Sequence, residues 1–169
     1  YIGTGGGKFD EHKEGLKTCA GSLVYEYLFE ENLLPKDQLS QKALEKLVSW
    51  NLLIDTGQAP KSEFDEFSIQ SFIRIKDNSN DSSKRSVELG SEILDRVLEV
   101  LKLREQSILD WEKAVEFKTK FGKAYGVVSE TINREFCREQ DGDLYLMVDP
   151  KYKSVQFFAP NKDIKEIYE

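Results

Sequence analysis

Residues 86–115 run SVELGSEILDRVLEVLKLREQSILDWEKAV, and how far the pattern of this stretch extends decides the fold. Ile93, Val97, Leu101, Ile108, Trp111 and Val115 follow one another at three, four or seven residues, the spacing of one face of an α-helix. No proline interrupts the chain between Pro60 and Pro150. Phe117, Phe121, Tyr125, Val128, Ile132 and Phe136 continue at steps of three and four, so the pattern predicts helix over 86–138. The phase shifts near Glu116, and Gly122 and Gly126 each weaken a helix by roughly 1 kcal/mol relative to alanine, which predicts two helices or one bent helix. Glu92 with Arg96, Glu116 with Lys120 and Glu130 with Arg134 stand four apart, a spacing that supports a solvated helical face by about 0.2–0.5 kcal/mol per pair. The apolar spacing drifts too much for a strict heptad, so an extended coiled coil is not expected.

On the N-terminal side, Asp77 to Ser83 is the clearest polar loop and the expected boundary between two parts of the chain. Before it, Phe67, Ile69, Phe72, Ile73 and Ile75 bring aromatic and β-branched residues to Glu66–Lys76, which predicts a strand. Leu16, Ala20, Leu23, Val24, Tyr27 and Leu28 place a helix from about Glu11 to Asn32, ended by Leu34-Pro35. Ser40 is the expected N-cap of a second helix carrying Ala43, Leu44, Leu47, Val48, Leu52 and Leu53 on one face. On the C-terminal side, Leu144–Val148 and Ser154–Ala159 flank Asp149-Pro150-Lys151-Tyr152, a type I turn with proline at its second position, and predict a hairpin. A short helix is expected within Lys162–Glu169.

The organisation that follows is a flexible terminus over 1–10, a helical and strand unit over 11–77, a polar loop over 78–85, and long helices with a hairpin over 86–169, packed with the first unit. The fold class is α+β with helices predominating. The run Ser40-Gln-Lys-Ala-Leu-Glu-Lys-Leu-Val-Ser-Trp-Asn-Leu-Leu53 is similar to the last helix of a winged-helix domain, which ends in an apolar pair before a β-hairpin wing. That resemblance covers about a third of the chain and implies a nucleic-acid face formed by Lys42 and Lys46 on the helix with Arg74 and Lys76 on the wing.

Composition bounds what such a fold does. The 169 residues carry 24 Lys and Arg against 31 Asp and Glu, a net charge of -7, which repels polyanions unless a basic patch is segregated. Nucleic acid is therefore the disfavoured partner, and a protein partner or a homo-oligomer the expected one. With no run of about 18 apolar residues, no membrane span is expected. Cys19 and Cys137 have neither metal-ligand spacing nor the density of a disulfide framework, and an intracellular location, cytoplasmic or nuclear, is the expectation.

Chemistry leaves little trace. Gly3-Thr-Gly-Gly-Gly-Lys8 lacks the phosphate-loop pattern, which requires glycine where Ile2 stands and Ser or Thr where Phe9 stands. His12 is the only histidine, so no His-based triad and no multi-histidine metal site is expected, and no cofactor either. Glu63, Asp65 and Glu66, and the pair Asp141 and Asp143, supply oxygen ligands without EF-hand spacing; exposed loops and turns account for them. Asp110, Glu116 and Lys118 have the residue types of a nuclease carboxylate set but fall on an expected helix rather than on paired strands. The aromatic stripe Phe117, Phe121 and Tyr125 is the candidate protein interface. Three functions remain: a non-catalytic interaction or assembly module, which leads; a winged-helix DNA-binding regulator dimerising through its long helix; and an enzyme with an unrecognised acidic site.

Overall fold

The computed structural model describes residues 2–13, 17–73 and 82–167. Chain contacts divide the protein into two units, Tyr1–Lys102 and Leu103–Glu169. The division falls inside the long helix, not at 78–85; of that expected loop, 78–81 lie outside the described residues and 82–85 are helical.

In the N-terminal unit the first helix, α1 (Ala20–Glu30), starts later than its apolar spacing predicts. Cys19 holds an extended backbone and its Sγ accepts the Ser22 N–H, so the chain enters the helix there. The second helix, α2 (Gln38–Asp55), starts earlier than expected because Asp37, not Ser40, is the cap: its carboxylate accepts the Ser40 N–H at 2.8 Å. Gly57, at φ 70°, ends it. The two helices approach closely. A Cβ on Gly21 would stand 2.2 Å from Asn51 Oδ1, and the buried Cys19 Sγ donates to the same oxygen at 3.4 Å.

The stretch expected as a strand over Glu66–Lys76 forms two short helical turns on either side of Ser68 where it is described. A 3-10 turn occupies Asp65–Phe67 and a short helix, α3, Ile69–Ile73. Ser68 stays extended, its Oγ accepts the Ser71 N–H, and the Ser71 hydroxyl bonds Asp65 O at 2.8 Å. Ile69, Phe72 and Ile73 are spaced i, i+3, i+4, a helical set, and local serine caps outweigh β propensity. No wing strand therefore follows α2 among the described residues; Arg74 and Lys76 lie outside them.

The expected long helix ends at Trp111. Helix α4 spans Ser82–Trp111, with the Glu92 to Arg96 pair formed at 3.2 Å. Beyond it, the stretch expected to stay helical folds as β1 (Val115–Thr119), β2 (Gly122–Val128) and the five-residue helix α5 (Arg134–Arg138). Gly122, at φ 109°, sits in a region that other residues avoid, and a Cβ there would meet Asp143 Oδ2 at 2.1 Å, so the chain reverses instead of continuing. Gly122→Ala is accordingly expected to lower stability by about 1–3 kcal/mol, measured by urea denaturation; an unchanged midpoint would show that the turn accommodates a Cβ.

The C-terminal hairpin forms as expected, β3 (Leu144–Asp149) pairing antiparallel with β4 (Ser154–Phe158). Asp149 Oδ1 accepts the N–H groups of Lys151 and Tyr152 and closes the turn. A 3-10 turn at Lys165–Ile167 stands where a final helix was expected. The four strands make one sheet in the order β1-β2-β3-β4, with β2 and β3 parallel and the outer pairs antiparallel. The parallel pair requires a crossover, and α5 lies within it. Helix and strand thus give an α+β fold in which helix predominates. None of the described helices is long and apolar enough to cross a membrane.

Candidate functional site

Strand register sorts the sheet into two unlike faces, because successive side chains point to opposite sides. One face carries Tyr125 and Val127 of β2, Tyr145 and Met147 of β3, and Phe158 of β4. It is covered by Ile132, Phe136 and Cys137 together with Trp111, whose ring centroid lies 5.0 Å from that of Tyr125 and 5.8 Å from that of Phe136. This is the core of the C-terminal unit.

The other face presents Val115 and Phe117 from β1, Ala124, Gly126 and Val128 from β2, Leu144, Leu146 and Val148 from β3, and Val155 and Phe157 from β4. Ala124 and Leu144 are buried at one end, whereas Val115, Val128 and Val155 are 64%, 63% and 56% exposed. Gly126 has no side chain to fill the middle, and Phe117 leans over it, 3.4 Å from where its Cβ would be. A shallow depression of about 390 Å³ results, lined by Val115, Gly126, Val128, Leu146 and Val148 with Lys113 at its rim. The strands place no charged side chain on this face.

The predicted interface is dismantled by this arrangement. Phe117 lies on the apolar face, Phe121 in the β1–β2 turn, and Tyr125 on the core face with its hydroxyl bonded to Glu116 and Asp141. On a single strand a four-residue step would keep one face, but the turn between β1 and β2 intervenes, and the register that pairs Phe117 with Ala124 and Glu116 with Tyr125 puts Phe117 and Tyr125 on opposite faces. Of the predicted nucleic-acid face, the described residues hold Lys42, half-buried, and Lys46, exposed, on α2.

Two of the acidic candidates, Asp141 and Asp143, are paired with lysines. Lys123 reaches Asp141 Oδ2 at 2.8 Å and Lys162 reaches Asp143 Oδ1 at 2.9 Å. The hydrogen bond to Lys123 holds the Asp141 carboxyl below its ordinary range, and that to Lys162 does the same for Asp143. Glu63, Asp65 and Glu66 are exposed. Glu116 and Lys118 stand on a strand after all, on the core face beside Lys123 and Tyr125. Asp110, however, is committed elsewhere: its carboxylate accepts from Ser129 Oγ at 2.6 Å and Gln106 Nε2 at 2.8 Å. Burial pushes the Cys137 thiol up to about 11, which keeps it protonated and unreactive at neutral pH. Lys8, the lysine of the glycine-rich run, stacks on the Tyr27 ring at 3.8 Å.

Sequence reasoning missed the apolar face because it read Val115 to Val128 with the wrong period. The available signal was Thr119-Lys-Phe-Gly122, a turn-forming stretch between runs rich in β-branched and aromatic residues. Compared with known proteins, the chain matches no family model, no curated protein and no solved structure.

Proposed function

We propose that the protein is a non-catalytic interaction module whose C-terminal unit receives an amphipathic helix of a protein partner across the uncharged face of its sheet. The observation that carries this reading is that face itself, in which Val115, Val128 and Val155 remain more than half exposed around the side-chain-free floor at Gly126. Contiguous exposed apolar surface of this kind is what interaction sites expose.

Size chooses the occupant. Four strands about 4.8 Å apart, each contributing about five residues at roughly 3.3 Å, make a face of roughly 19 by 17 Å, on the order of 300 Å². A second copy laid against it falls well short of the roughly 800 Å² per partner of a stable interface. Three turns of helix, about 16 Å long and 10–12 Å across, fit within it and run its full length.

The test uses a synthetic peptide of roughly 18 residues, long enough for partial helicity in water, with leucine on one face and lysine on the other. Saturable binding to the wild-type chain that is lost in Val128→Glu supports the reading. The substitution adds negative charge, so simple attraction of lysines to an acidic protein predicts tighter binding instead. Equal or tighter binding by Val128→Glu, or none by the wild type, overturns it. Light scattering on the same samples, with and without a DNA duplex, identifies the competing outcomes, a dimer or a salt-sensitive DNA complex.

A further inference from the structure

The glycine-rich N-terminal segment closes into a loop whose end gathers three potential ligands. Ile2 bridges Phe9, and the Gly3 N–H donates to Phe9 O at 2.8 Å. Asp10, 6% exposed, accepts the Gly6 N–H on Oδ2 at 2.5 Å and the His12 N–H on Oδ1 at 3.0 Å. His12 Nδ1 lies 3.1 Å from Asp10 Oδ1 and 3.7 Å from Glu11 Oε1. One ligand atom from each of the three residues falls within 4.8 Å of the others. Independently of that clustering, Glu11 Oε2 is buried with no hydrogen-bond partner, and a buried carboxylate oxygen without a partner calls for a cation or a donor.

We infer that Asp10, Glu11 and His12 form a binding site for a divalent cation of the zinc type. Metal bonds of about 2.0–2.2 Å set tetrahedral ligand atoms roughly 3.3–3.6 Å apart, and the 3.1 and 3.7 Å separations from His12 Nδ1 bracket that spacing. One imidazole nitrogen with two carboxylates suits zinc, whereas calcium takes six to eight oxygens and no imidazole. The cation binds the Glu11 carboxylate, whose Oε1 is the oxygen near His12 and whose Oε2 has no other partner, and neutralises two adjacent carboxylates. With His12 exposed, water completes the shell. A single histidine is compatible with this site because the remaining ligands are carboxylates fixed by the glycine loop.

Isothermal titration of the full chain with zinc chloride tests the site, alongside His12→Ala and Glu11→Gln, neither of which removes the Asp10 bonds that close the loop. The expected result is one saturable site per chain in the wild type, weakened at least tenfold in both variants, with cobalt(II) absorption bands that disappear in His12→Ala. Absence of a saturable site, or equal zinc affinity in wild type and His12→Ala, overturns the proposal and leaves His12 as an ion-pair partner of the two acids. Far-ultraviolet circular dichroism confirms that each variant is folded.

Discussion

Tyr145→Ala is expected to destabilise the C-terminal unit by about 3–5 kcal/mol, the range for removing a large buried ring. Tyr145 is 1% exposed, its ring centroid 6.1 Å from that of Phe158, 6.2 Å from that of Tyr125 and 6.1 Å from that of Trp111. Its hydroxyl is also structural. It accepts the Gly142 N–H at 2.7 Å and donates to Gln140 O at 2.9 Å, pinning the turn that leads into β3. Tyr145→Phe keeps the ring and orphans those two groups, so it should cost about 1–3 kcal/mol. Urea denaturation in a Trp50→Phe background checks both, since Trp111 then reports on this core alone. A loss below about 1 kcal/mol for Tyr145→Ala is incompatible with the packing described.

The second large effect is expected at Asp110, near the end of α4. Its carboxylate accepts from Ser129 Oγ and Gln106 Nε2 and faces Lys113 at 3.5 Å. Ser129 Oγ in turn accepts the N–H groups of Thr131 and Ile132, so one carboxylate anchors the loop that enters α5. Asp110→Ala should cost about 1.5–3 kcal/mol, the range for hydrogen bonds to a charged group. Partial burial raises the Asp110 carboxyl, but the bonds from Ser129, Gln106 and Lys113 outweigh it and the net shift is downward. A carboxylate lowered on folding stabilises the folded state fully above the unfolded value, near 4, and that contribution is lost as pH falls through the folded value. Asp110→Asn should therefore flatten the decline in stability below about pH 5. Parallel wild-type and variant curves would contradict this.

The two helices of the N-terminal unit and the C-terminal hairpin were legible because each carries its own period and its own punctuation. Ala43 and its neighbours recur at helical spacing behind an acidic cap, and Asp149-Pro150 closes a hairpin through local bonds to Lys151 and Tyr152. The helix starts were displaced by one chemical detail each: Cys19 and Asp37 accept N–H groups that the apolar pattern does not register. Of the described candidate site residues, Phe117 alone reached the apolar face. The rest of that face was hidden because Val115 to Val128 satisfies helical spacing while folding as strands.

By itself, then, the sequence determined the α+β class, the helices α1 and α2 apart from their starts, α4 from Ser86 to its end, and the final hairpin. Each rests on interactions between residues a few positions apart. The turn of helix at Ile69–Ile73 rests on local serine bonds that its β-branched and aromatic residues mask, and only the tertiary structure decided that the chain past Trp111 is sheet. At β1 and β2 both periods fit the same residues, and pairing settles the choice: Val127 and Tyr145 find the buried side of Trp111 and Phe136 only when β2 lies against β3. The same register turns Val115, Val128 and Val155 to the opposite side, so the core and the proposed interaction face arise from one long-range pairing.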